Sequence, residues 1–133
     1  MNMLMFKRPA NSKTEAIFCK RYLTPVGARP DAHGNYWLVL PGNDDILFSS
    51  HTDTVHKTPG TQQLLYGGGL LSAKESNCLG AACGVGVWLM LEMVKAKVPG
   101  TYIWHAEEEI GGKGSDYIAK NMLDKIQNKK FAI

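Results

Sequence analysis

The chain has 133 residues, 44% hydrophobic and 20% charged, the balance of a globular domain rather than a disordered tail, a collagen-like repeat or a disulfide scaffold. That length suits a single domain over residues 1–133 with a sizeable core. A net charge of +3, with the basic residues scattered, argues against a nucleic-acid or anionic-membrane partner.

Met1 to Pro9 carries Lys7 and Arg8 after a short apolar patch, the reverse of a secretion signal. The three cysteines, Cys19, Cys78 and Cys83, lack Cys-x-x-Cys spacing and fit a reducing compartment. No apolar stretch approaches the roughly 20 residues that span a bilayer, so the expectation is a soluble cytoplasmic protein. Thr14 to Leu23 reads as a short amphipathic helix capped by Thr14 or Ser12 and ended by Pro25 and Gly27. Tyr36 to Leu40 and Ile46 to Phe48 read as strands. The turn between them, Pro41 to Asp45, predicts an antiparallel hairpin. Ser49 to Gly69 is a polar, glycine-rich excursion with a short ribbon around Leu64 and Leu70.

From Ala81 to Lys97 apolar residues cover most of a helix's circumference, which predicts a helix buried on several sides. Pro99-Gly100 ends it, and Thr101 to Trp104 reads as a buried strand. A helix follows at about Ser115 to Asn128, and Phe131-Ala132-Ile133 looks like the opening of another strand. The fold class expected is α/β, a mixed β-sheet flanked by helices and built from the Tyr36, Ile46 and Thr101 strands.

Three polar constellations follow or adjoin apolar runs. In Ser50-His51-Thr52-Asp53, a carboxylate two residues from an imidazole can accept its second N–H and present the other nitrogen to a metal; from this motif alone a plain loop histidine beside a turn-forming aspartate is the favoured reading. In Glu107-Glu108-Glu109, three adjacent carboxylates suit either a solvated loop or a site where one binds metal and a neighbour stays free as a base. Gly111, Gly112 and Gly114 let the backbone turn behind them. Leu79-Gly80-Ala81-Ala82-Cys83-Gly84 reads as a close-packed helix start. There Cys83 could act as a nucleophile only if His51 or His105 came close.

Taken together, Ser49-Ser50-His51-Thr52-Asp53-Thr54-Val55, Asn77-Cys78-Leu79-Gly80-Ala81 and Glu107-Glu108-Glu109-Ile110-Gly111-Gly112 resemble the zinc-peptidase family of aminoacylases, bacterial tripeptidases and glutamate-releasing carboxypeptidases. Gly114-Ser115 agrees with it, and the resemblance covers roughly residues 10–133 in the family's order. It implies part of a catalytic domain with two zinc ions and a peptide or N-acyl amino acid substrate. His51 corresponds to a zinc ligand and Asp53 to the carboxylate that orients it. Glu108 corresponds to the general base that activates the attacking water, and Glu109 to a ligand of the other zinc. Glu107 has no implied role.

The departures are specific. The family carries an aspartate after Leu-Gly-Ala that bridges the two metals, and here that position is Ala82. A further carboxylate and a final histidine come, in the family, from segments beyond Ile133. The expectation is therefore a hydrolase of peptide or amide bonds that is impaired as written, with weak or absent zinc binding. A non-catalytic binding or inhibitor module derived from the same scaffold is the alternative. A one-metal site of His51, Glu109 and either His56 or Cys83 is the third reading.

Overall fold

The computed structural model describes residues 2–133. In chain order its elements are β1 (Phe6–Lys7), α1 (Lys13–Tyr22), β2 (Arg29–Pro30), β3 (Tyr36–Leu40), β4 (Ile46–His51), β5 (Gly60–Thr61), β6 (Gln63–Gly67), β7 (Leu70–Lys74), α2 (Ala81–Lys95), β8 (Gly100–His105), α3 (Lys113–Asn121) and β9 (Phe131–Ala132). Ser12, not Thr14, caps α1: its hydroxyl accepts the Glu15 N–H at 3.1 Å. The expected ribbon is the antiparallel pair β6–β7. The last helix is shorter than expected, because α3 gives way to a 3-10 turn at Leu123–Lys125.

A mixed five-stranded sheet runs in the order β2-β3-β8-β4-β9. Strand alternation sends Tyr36, Leu38, Phe48, Tyr102 and Trp104 into one core with Phe18 of α1 and Val87, Met90 and Leu91 of α2. Both helices therefore pack on the same face. Ile103, only 1% exposed, is buried on the opposite face. Among the described residues no helix is long and apolar enough to cross a membrane.

The expected hairpin of β3 and β4 does not form. β8 lies between them, antiparallel to β3 and parallel to β4. Two strand spacings are about 9.5 Å, and five residues reach about 17 Å, so the Pro41–Asp45 linker spans a skipped strand as readily as it closes a hairpin. Burial decides between the two. Tyr102, Ile103 and Trp104 are 0–1% exposed, which demands cover on both faces and both edges. Gly42 makes the crossing possible: its φ is 119°, and a Cβ there would stand 3.2 Å from Pro99, just ahead of β8.

The second correction concerns α2. It buries one face, and Val85, Trp88 and Leu89 remain 50–54% exposed. A single sheet covers only a stripe of a helix, and α2 carries more apolar residues than that stripe holds.

Candidate metal centre

The parallel pair β4–β8 sets up the site. Parallel neighbours end at the same edge of a sheet, so His51 and His105 fall side by side in register. The loops that follow the two strands leave together. One carries Thr52 and Asp53, and the other carries Glu107, Glu108 and Glu109.

Thr52 ties the first loop down. Its N–H donates to the His105 carbonyl at 2.9 Å, and its hydroxyl donates to Glu15 Oε1 at 2.6 Å. Thr54 then pairs with Arg8 through two bonds of 2.8 and 3.1 Å. Between these anchors Asp53 has no exposure at all. Both of its oxygens are engaged: Oδ1 takes the His51 Nδ1–H at 3.2 Å and the Glu108 N–H at 3.1 Å, while Oδ2 takes the Glu109 N–H at 3.0 Å. One buried carboxylate thus holds the imidazole and both glutamate backbones.

Burial by itself would raise the Asp53 pKa, but the bonds from His51, Glu109 and Glu108 bring it below the usual carboxylate value. For His51 burial works downward, and the bond and charge of Asp53, helped by Glu108 and Glu109, outweigh it and raise the pKa. Nδ1 lies against Asp53, and Nε2 faces Glu108 Oε2, 3.8 Å away. Among the described residues, one donor atom each of His51, Glu108 and Glu109 lie within 4.8 Å of one another. An imidazole nitrogen and two carboxylate oxygens are a donor set that zinc accepts.

Ala82 is the second residue of α2 and is exposed. The start of that helix packs beside the same loop, since a Cβ on Gly80 would stand 3.0 Å from His56 and 3.1 Å from Thr54. The Ala82 methyl group offers no lone pair to a cation. His56 is outside the donor set, because Thr54 Oγ1 at 2.6 Å and Gln62 Oε1 at 3.1 Å occupy its two nitrogens. Cys83 is also outside it. The thiol is 4% exposed, its neighbour at 3.3 Å is the Arg8 guanidinium rather than a histidine, and burial raises its pKa. Both features argue against a cysteine nucleophile. His105 turns its Nε2 to Ser49 Oγ at 3.0 Å.

Other residues prove as important to the geometry as the motifs. Asn35, with no exposure, receives the Ala106 N–H on Oδ1 at 3.0 Å and donates to Asp31 and to the Gly114 carbonyl. Glu107, which carried no expected role, has a left-handed φ of 57° and bonds Asn11 Nδ2 and, at 2.8 Å, His33 Nε2. The sequence marks Asp31 to Asn35 only as a turn. Nothing in its spacing shows that it props a loop 71 to 79 positions away. Glu107→Ala is expected to lose both side-chain bonds and about 1–2 kcal/mol of stability, measured by urea denaturation. An unchanged midpoint would show that the tie carries no load.

No family model and no curated protein matches the chain. Solved structures do. A tripeptidase from Staphylococcus aureus superposes with a TM-score of 0.75 at 16% identity, covering 98% of this chain and 40% of its own. Aminopeptidase PepT from Bacillus cereus gives 0.72 at 18%, covering 99% and 40%. Aminoacylhistidine dipeptidase from Vibrio alginolyticus gives 0.64 at 22%, covering 86% and 28%. The chain shares the fold of these peptidases over 28–40% of their length. They are enzymes of the kind that the motif resemblance indicated.

Proposed function

We propose that this chain is a member of the zinc-peptidase family its motifs resemble, one catalytic-domain-like unit whose metal site is reduced. Its substrate class is peptides or N-acyl amino acids, and hydrolysis by the chain as it stands is negligible. The observation that supports this reading is the gathering of His51, Glu108 and Glu109 within 4.8 Å around one fully buried aspartate, in a fold shared with peptidases. His51 Nε2 and the Glu109 carboxylate would hold zinc, which when bound supplies Lewis acidity toward a water molecule. Asp53 keeps the proton on His51 Nδ1 and so leaves Nε2 as a ligand. Glu108, its side chain 52% exposed, is the carboxylate that the resemblance casts as base.

Two ligands do not hold a pair of dications, since a catalytic zinc normally keeps three protein ligands. Without an anion at position 82 two metals would also face each other unscreened. That loss equally supports the second reading, a binding module kept on the peptidase scaffold. Three free cysteines fit a cytoplasmic location for either.

The test measures bound zinc and the hydrolysis of dipeptides, tripeptides and N-acetyl amino acids. For this chain the expectation is weak zinc retention and no turnover above blank. Ala82→Asp is expected to raise zinc retention. Turnover is expected only when that substitution is combined with a downstream half that supplies the remaining ligands. Zinc-dependent turnover near 1 s⁻¹ or above by the unmodified chain would overturn the proposal. Failure of the combined protein to hydrolyse anything would favour the binding module.

A further inference from the structure

A dication held by one imidazole and one carboxylate keeps a formal charge of +1 and lacks the third ligand it normally takes. In this chain position 82 supplies nothing, so among the described residues a third donor has to be sought elsewhere around His51. His56 and Cys83 are committed to other partners at 2.6 to 3.3 Å, and His105 spends Nε2 on Ser49 Oγ at 3.0 Å while its Nδ1 is buried away from the group formed by His51, Glu108 and Glu109. The Glu108 side chain is not so committed. Its backbone N–H is pinned on Asp53 Oδ1 and that of Glu109 on Oδ2, so both side chains spring from one anchored dipeptide and reach the His51 ring to within 4.8 Å.

The distances suit a single ion. Ligands of a tetrahedral zinc at 2.0–2.2 Å lie roughly 3.3–3.6 Å from one another. The His51 Nε2 to Glu108 Oε2 separation of 3.8 Å is almost there already. The widest separation in the group, at most 4.8 Å, closes by about 1 Å of movement, which the exposed glutamate side chains permit.

Resting on the metal-site reading above, we infer that Glu108 in this chain is the third protein ligand of a single zinc-type dication, together with His51 and Glu109, and not a free base. The loss of the carboxylate at position 82 thereby does two things at once. It removes the second metal, and it draws the residue in the base's position onto the first. A chain of this kind binds metal without hydrolysing anything, because no unligated carboxylate remains beside the water.

The experiment is calorimetric titration of the full chain with zinc, repeated with cobalt(II), whose visible absorption reports coordination number. The variants are Glu108→Gln, Glu109→Gln and Ala82→Asp, together with Glu108→Gln in the Ala82→Asp background. The exposed position of Glu108 makes its amide variant a safe one to fold, and circular dichroism checks it. Glu108→Gln and Glu109→Gln are each expected to weaken zinc binding by about tenfold or more. In the Ala82→Asp background, Glu108→Gln is expected to change the affinity by less than about threefold, because the new aspartate frees Glu108. Full zinc affinity in Glu108→Gln, with a loss in Glu109→Gln, would overturn the inference and leave the metal site standing. Equal losses from Glu108→Gln in both backgrounds would overturn the role given to Ala82. Absence of zinc binding by the unsubstituted chain would overturn the metal-site reading itself.

Discussion

Asp53→Asn is expected to cost this protein about 3 kcal/mol of stability and to weaken zinc binding at the proposed site by roughly 10- to 100-fold. The size of the effect follows from the three bonds that converge on a side chain with no exposure. An amide accepts through one oxygen only. Its NH2 group would confront either the His51 Nδ1–H or a glutamate N–H, leaving a buried donor facing a donor. Denaturant unfolding reads the first effect and calorimetry the second. A loss below about 1 kcal/mol would mean that the two loops hold their shape without the carboxylate.

The same pair gives stability a pH dependence whose sign is fixed. The folded pKa of Asp53 is lowered, so its contribution is present above the unfolded value near 3.9 and is lost as pH falls through the folded one. The folded pKa of His51 is raised, so its contribution is present below the unfolded value near 6.5 and is lost as pH rises through the folded one. Their shared interaction therefore stabilises most between roughly pH 4 and 6.5, and Asp53→Asn should flatten that maximum.

Gly114→Ala is expected to be comparably damaging without touching any of the proposed metal ligands. A Cβ at this position would overlap both Asn35 Oδ1 and the Ala106 carbonyl oxygen, and would stand 3.0 Å from the Ala106 nitrogen. Asn35 has no room to withdraw, because its amide is bonded to Asp31 and to the Gly114 carbonyl in a fully buried position. The relief must come from moving the Ala106–Glu109 loop away from Asp53. A destabilisation of about 3 kcal/mol, or a fall in Tm of about 10 °C, is the expected outcome, with zinc affinity falling in parallel. Wild-type stability and affinity would show that the loop accommodates a methyl group there.

What could be read directly from the residues was local or patterned. Ser12 followed by Glu15, and the runs at Tyr36, Ile46 and Thr101, each encode their element through short-range hydrogen bonding and side-chain branching, whereas α2 stops at Lys95, ahead of the Pro99-Gly100 stop. The candidate site residues were legible for a related reason. His51 and Asp53 stand two apart, and Glu108 and Glu109 are adjacent, so their mutual reach depends on few backbone angles. Tertiary structure alone decided how these pieces meet. Whether β3 or β8 lies beside β4 depends on which strand gains most from cover on both faces, an energy spread over Tyr102, Ile103 and Trp104 and their distant partners. How much of α2 is covered depends on the single sheet beneath it, which no helical period encodes. The support of the site by Asn35, and the tie from Glu107 to Asn11 and His33, join residues 71 to 96 positions apart. Such contacts exist only after the chain has closed those long loops, so no local propensity announces them.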